Sequence, residues 1–317
     1  MTDSSLGVLP WNQATTWAAY EASGRRIEAL GYDHLWAWDH LYAIFGDPYQ
    51  PMFEGYLTLA AMAKVTTRLR LGLLVGANTF RSPAVVAKSL TTLDHLSDGR
   101  AIAGLGGAWF GTEHEEAGID FGSGFGQRLD WLDEACGAIR PLLDGETVSS
   151  PEGGHYELKD FRVLPRPVQA RLPIMIGGSG EKKTLRTVAR YADMWNAMGD
   201  VEFLRHKLDV LRRHCDDVGR DIGEIQLTVG CKPIIRNTEA EANRVWEDQM
   251  AHNRTPMKDV LDDDTFWVGT ADLVAERMLE RKALGFHTFL AEMAAPFDEE
   301  TLERWITEVK PAVDAAA

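Results

Sequence analysis

The stretch "PIMIGGSGEKKTL" at 173–185 decides the fold. "PIMIG" reads as a short buried strand, and "KKTLRTVARYA" behind it carries apolar residues at helical spacing. Between them Gly177, Gly178, Ser179 and Gly180 carry almost no side chain. A strand running through glycines into a helix is the repeating unit of a parallel sheet. Bare backbone at that junction lets N–H groups approach an anion, and the helix N-terminus adds roughly half a positive charge. "GGSG" therefore reads as a phosphate cradle. It lacks the Gly-Lys-Ser/Thr ending of a P-loop and the spaced glycines of a dinucleotide fingerprint. Nor is "GGSGE" the Gly-x-Ser-x-Gly elbow of a serine hydrolase.

Working outward, the same unit recurs along the chain. "LGVLP" (6–10), "HLWAWDH" (34–40), "RLRLGLLVG" (68–76), "RAIAGLGG" (100–107), "DMWNA" (193–197), "IQLTVGCKPII" (225–235) and "HTFLAEMA" (287–294) are strand-like. With "PIMIGG" they make eight. Helical patterns separate them, at about 15–30, 53–65, 82–97, 127–143, 182–192, 201–219, 239–253, 271–284 and 299–308. Eight βα units in 317 residues suit a closed (β/α)8 barrel spanning 1–317. An open doubly wound sheet is the alternative, and the missing glycine fingerprint after "LGVLP" counts against it. Residues 41–54 and 145–172 read as insertions in the βα loops, the second as a hairpin around Gly153-Gly154.

Composition narrows the function classes. A net charge of −15 disfavours nucleic acid or an anionic membrane as partner. No run of about 18 apolar residues and no basic-apolar leader is present, so neither a membrane span nor a signal peptide is expected. Cys136, Cys215 and Cys231, odd in number and widely spaced, fit a reducing cytoplasm. No metal site is expected: Cys-x-x-Cys is absent, and "EHEEAGID" (113–120) lacks the second histidine of a zinc helix.

A barrel gathers its reactive groups at the C-terminal ends of its strands. Here those ends carry Asp39 and His40, then Gly76, Asn78 and Thr79, then Gly104–Gly107 with Trp109, then 177–180, then Trp195 and Asn196. His40 directly follows a strand and an aspartate, and imidazole titrates near 6.5 in water, which suits proton transfer. His114 lies in the loop after the fourth strand. His34, His95 and His287 fall within regular elements and read as packing or surface residues.

"EALGYDHLWAWDHL", "RLRLGLLVGANTFRSPAVVAKSLTTLDHLSDGRAIAGLGGAWF", "EHEEAGIDFGS" and "PIMIGGSGEKKTLRTVARYADMWN" resemble, in order, the blocks of the luciferase-like monooxygenase superfamily, and within it the branch using the deazaflavin coenzyme F420. The resemblance implies a (β/α)8 barrel with the cofactor across its C-terminal rim. It implies that Asp39 and His40 lie near the cofactor ring, His40 exchanging a proton and Asp39 orienting it. Leu74-Val75 matches a non-proline cis peptide behind the ring. Asn78, Thr79, Gly106, Gly107 and Ala108 match cofactor contacts, and Gly177, Gly178, Ser179 and Gly180 the phosphate loop. Relatives that oxidise sugar phosphates carry tryptophan at the position of Ile44 and glutamate at that of Trp109. Those departures argue against a sugar phosphate. Trp109, with Trp36 and Trp38, suggests a flat apolar substrate, with Glu113 and His114 the nearest ionisable groups in that loop; Glu113, Glu115 and Glu116 also read as a solvated face.

The expected chemistry is hydride transfer between F420 and a small carbonyl, alcohol or unsaturated substrate. The alternative is an FMN-dependent two-component monooxygenase that activates oxygen on reduced flavin. A non-enzymatic flavin carrier is disfavoured by the Asp39–His40 pair. The resemblance also implies a cytoplasmic homodimer served by a flavin or F420 reductase. The loops at 41–54, 110–126 and 236–268, which would shape the substrate pocket, name no substrate.

Overall fold

The computed structural model describes residues 3–257 and 264–316; part of the 236–268 loop, 258–263, lies outside the described residues. Its strands are β1 (Ser5–Pro10), β2 (His34–Ala37), β3 (Arg70–Leu73), β4 (Gly76–Ala77), β5 (Ala101–Gly106), β6 (Ile174–Gly177), β7 (Met194–Ala197), β8 (Gln226–Ile235), β9 (Phe266–Gly269) and β10 (Thr288–Met293). Every pairing between them is parallel. The order β1-β2-β3-β5-β6-β7-β8-β10 closes on itself, through Ser5↔Thr288 on one side of β10 and Thr288↔Thr228 on the other. This is the (β/α)8 barrel, its eighth gap sealed by two ladders.

The first difference from the sequence reading is β9, which lies outside that ring. "FWVG" is too short for periodicity to reveal, and it forms by pairing Phe266–Gly269 with the second half of β8, Lys232↔Phe266 through Ile235↔Gly269. The second is the stretch 68–76, read as one strand. It is broken at the cis Leu74-Val75 peptide, so β3 pairs with β2 and β5 while β4 pairs with β5 alone. The peptide matches the position and isomer the resemblance implies. A helix at Gly111–Ala117 also lay hidden in the 110–126 loop.

Local chemistry sets the helix ends. Ser82 caps the helix Pro83–Leu96 by accepting from the Val85 N–H, with Pro83 at the first position where a missing donor costs nothing. Thr16 does the same for Trp17–Leu30, which ends at Gly31 with φ +94°. In the 145–172 insertion, Val148 and Phe161 exchange both backbone hydrogen bonds across a short antiparallel bridge. Among the described residues, no helix is long and apolar enough to cross a membrane.

Side chains alternate along each strand. One set packs under the helices; the other, including Leu9, Trp36, Ile102, Met175, Met194 and Leu290, fills the barrel. Trp36, fully buried, fits because Gly7 and Gly72 flank it: a Cβ on Gly72 would stand 2.5 Å from its ring. Removing such a ring costs about 3–5 kcal/mol. Trp36 is therefore core, and the flat-substrate role suggested for it does not hold. The lower barrel is plugged, so a ligand held within the ring of strands would sit above it.

Candidate active site

A cavity of about 440 Å³ opens at the C-terminal ends of the strands. Trp38, Asp39, His40, Leu74, Val75, Gly106, Gly107, Ala108, Trp109, Gly177, Gly178 and Ser179 line it, so the sequence-derived rim is one place. Gly180, Asn78, Thr79, Glu113 and His114 sit behind the wall.

His40 follows β2. Its Nδ1 lies 2.8 Å from Glu113 Oε1, while Glu113 Oε2 accepts the Leu41 N–H at 2.8 Å. A carboxylate only accepts, so Nδ1 carries hydrogen and points away from the cavity. Nε2 finds no partner among the described residues. Glu113 is 1% exposed, so it does not belong to a solvated face. Its neighbours Glu115 and Glu116 do, Glu116 accepting from the hydroxyls of Tyr42 and Tyr49. The helix Gly111–Ala117 delivers Glu113, and missing that helix hid the role.

Asp39 does not orient His40. Its carboxylate accepts from Arg81 Nη1 at 2.7 Å, from Arg81 Nη2 at 3.0 Å and from the Ala77 N–H at 2.9 Å. Burial pushes the Asp39 carboxyl up from its ordinary range, while Arg81 and the Ala77 amide pull it down. Arg81, although partly desolvated, is held above the ordinary guanidinium value by Asp39. The pair ties β2 to β4 and fixes the backbone beneath the cavity. Arg81 had no signal in the sequence, since it lies outside every strand end.

His114 is a structural residue. Nδ1 donates to the Phe110 carbonyl at 2.8 Å, leaving Nε2 to accept the Thr79 hydroxyl at 2.6 Å. Desolvation lowers its pKa, which keeps that neutral tautomer. Thr79 is thereby engaged. Asn78 is engaged as well, its amide donating to Tyr156 of the 145–172 insertion at 2.9 Å. Neither is among the residues that line the cavity, and both support the β4 loop.

The glycines have separate reasons. A Cβ on Gly104 would overlap the Leu73 carbonyl oxygen, one on Gly106 would meet Val75 Cγ2 at 2.5 Å, and one on Gly177 would meet Val75 Cγ1 at 2.9 Å. Val75 thus occupies the space that Gly106 and Gly177 leave, forming the cavity floor. Gly178 has φ +110°, which side chains resist. At Gly180 a Cβ would meet Thr184 Oγ1 at 2.8 Å. Much of the bareness answers to the chain's own packing. The cradle survives in the amides: the N–H groups of Ser179, Gly180, Glu181 and Lys182 carry no hydrogen bond within the described residues, ahead of the helix Thr184–Tyr191. Lys183 faces elsewhere, its Nζ 2.7 Å from Asp130 and 2.9 Å from the Gly126 carbonyl.

Three features escaped the sequence reading. Phe45, from the 41–54 insertion, stacks on Trp11 with centroids 4.2 Å apart and joins Trp38 in an aromatic wall. Phe125 and Met198 complete the rim. On β8 and β10, Lys232 and Glu292 place a buried ion pair in the same cavity.

A closed parallel barrel thus presents one rim cavity with an apolar floor, amides without hydrogen bonds among the described residues at one strand end and a carboxylate-held histidine at another. The luciferase-like monooxygenase family model matches residues 5–288, and the chain belongs to that family of oxidoreductases and monooxygenases. Among solved structures, an F420-dependent secondary alcohol dehydrogenase bound to an F420-acetone adduct superposes with a TM-score of 0.84 at 17% identity, covering 98% of this chain and 99% of that one. The FMN-bound oxygenating constituent of 3,6-diketocamphane monooxygenase from Pseudomonas putida gives 0.75 at 16% identity, covering 98% and 99%. At these identities the likeness shows the fold. In sequence, an uncharacterized protein of Mycobacterium tuberculosis is 33% identical over 149 residues, 47% of this chain and 51% of its own length. The pyrimidine monooxygenase of Methylobacterium radiotolerans is 34% identical over 141 residues, 44% of this chain and 36% of its own. The chain thus spans about half, or less, of the curated relatives it matches.

Proposed function

We propose that the chain transfers a hydride between coenzyme F420 and a small carbonyl, alcohol or unsaturated substrate at this rim. The observation that carries the reading is His40: one ring nitrogen is fixed by Glu113, and the other, at the cavity wall, has no partner among the described residues. A carbonyl that accepts a hydride needs a proton on oxygen, and an alcohol that gives one must lose it. His40 Nε2 would hold that proton, with Glu113 stabilising the charged ring. The deazaflavin would supply the two-electron chemistry. Amides from Ser179 to Lys182 would take its phosphate, Val75 would back its ring, and Trp38 with Phe45 would keep water from the adjoining wall.

The FMN monooxygenase reading has one observation in its favour, the identity with the pyrimidine monooxygenase over 141 residues. Both cofactors carry a phosphate that the same amides could bind. Titrating the protein with each cofactor, followed by visible absorbance, separates the readings. Tight binding of F420 and substrate turnover without oxygen uptake is the expected result. Binding of FMN alone, with oxygen consumed, moves the assignment to the monooxygenase; binding of neither sinks both.

A further inference from the structure

Lys232 and Glu292 stand where an eight-stranded barrel puts them farthest from Val75. Going round the ring, β3 and β5, which hold the Leu74-Val75 bulge and Gly106, lie diametrically across from β8 and β10. Lys232 on β8 and Glu292 on β10 are neighbours because Cys231 pairs with Ala291. Both side chains are about nine-tenths buried, at 8% and 11% exposure, and both line the cavity.

A buried ion pair is costly unless its geometry is good, and this one is loose. Lys232 Nζ lies 3.4 Å from Glu292 Oε2 and 3.3 Å from the Thr265 hydroxyl, both long for charge-assisted bonds of about 2.7–2.9 Å. Its third side faces the Phe266 ring at 4.9 Å. Glu292 Oε1 has no hydrogen-bond partner among the described residues. The pair therefore leaves one carboxylate oxygen open beside an ammonium whose two polar contacts are long enough to be exchanged for a ligand's acceptor, in a cavity that Trp38, Phe45, Val75 and Met198 also line.

We propose that Lys232 and Glu292 select the substrate: a neutral, flat molecule whose edge carries a hydrogen-bond acceptor beside an N–H donor, as in an amide, lactam or imide. The acceptor oxygen takes the Lys232 ammonium and the N–H reaches the Glu292 carboxylate. An acid substrate would set its charge against Glu292, and an amine would set its own against Lys232. A ketone would satisfy Lys232 and leave Glu292 unpaired, which a desolvated site penalises. The proposal rests on the rim being the reaction site of the cofactor reading, and it narrows the substrate class of that site.

The test compares 2-piperidone, glutarimide and cyclohexanone, rings of one size that differ in this edge. Affinity is measured by saturation-transfer NMR and calorimetry on the protein saturated with whichever of F420 or FMN binds, and in parallel without cofactor. The expected result is that the lactam and imide bind about tenfold or more tightly than the ketone. Glu292→Gln should abolish most of that preference, and Lys232→Met should weaken all three. Removing one partner leaves the other charge buried, so these variants risk unfolding. The double variant Lys232→Met/Glu292→Leu has no charge left to bury; its thermal midpoint should match or exceed wild type while the preference disappears. Equal affinity for all three rings in wild type, or a preference intact in the double variant, overturns the proposal and makes the pair a strut of the barrel wall. Failure of both cofactors to bind overturns the cofactor reading instead, and the cofactor-free series still scores the ring preference.

Discussion

Glu113 holds His40 by Nδ1 at 2.8 Å and the backbone of Leu41 by its other oxygen, so one buried carboxylate fixes both the ring and the turn that carries it. With its base-side nitrogen free, His40 is the group expected to touch substrate. His40→Ala should lower kcat by about 10²- to 10⁴-fold, the usual range for a proton-transfer group, with cofactor affinity within about twofold of wild type. Glu113→Gln should lower kcat by about ten- to a hundredfold, since the amide still accepts from Nδ1–H but cannot balance a charged ring. If cofactor affinity falls with kcat in either variant, the residue serves the fold of the loop. Steady-state kinetics beside cofactor titration reads both quantities.

Val75 and the two glycines above it form a second unit. Gly177→Ala would drive a methyl to within 2.9 Å of Val75 Cγ1, and Gly106→Ala one to 2.5 Å of Cγ2. Overpacking of this kind costs about 1–3 kcal/mol. It should appear as weaker cofactor binding, because the floor itself is displaced. Val75→Ala introduced with Gly177→Ala should restore most of the loss. A double-mutant cycle with no coupling would break the link between the bulge and the glycines.

Asp39 is 2% exposed at the rim, and Arg81 is its counterion. Arg81→Met should destabilise the protein by about 3–5 kcal/mol by leaving that carboxylate buried and alone. Asp39→Asn in the same chain should recover much of it. Denaturant melts of the three variants measure this; equal stability of Arg81→Met and wild type would mean that Asp39 rests on the Ala77 amide.

The barrel was legible because its signal repeats. Alternating strand and helix patterns recur eight times, so one misread element such as 68–76 does not change the topology. The rim was legible for the same reason, since strand ends must converge. What stayed hidden was everything set by contacts distant in sequence. The partner of His40 lies 73 residues away and that of Asp39 42. The adjacency of Asp39 and His40 in the chain pointed to each other, yet consecutive side chains leaving a strand turn to opposite sides. Lys232 sits in an apolar run, and Glu292 in another 60 residues on. Neither has meaning until β8 and β10 become neighbours.

His34 supplies a test in acid. It starts β2, is 4% exposed, and its Nδ1 is buried without a hydrogen bond among the described residues. Burial lowers its pKa to about 4; Asp33 opposes that shift and Arg70 reinforces it. In the unfolded chain the ring titrates near 6.5. Below about 6.5 the unfolded state therefore binds a proton that the folded state refuses until about 4, and stability falls as pH drops through that window. The loss should be on the order of 3 kcal/mol from this residue. His114 and His287, also lowered by desolvation, act in the same direction. Carboxylates held below their ordinary range, such as Glu28, add their loss only at lower pH. His34→Phe should flatten the stability curve between pH 6.5 and 4 as measured by urea melts at half-unit steps. A variant whose slope in that window equals wild type would show that His34 meets its proton in the folded state as readily as in the unfolded one.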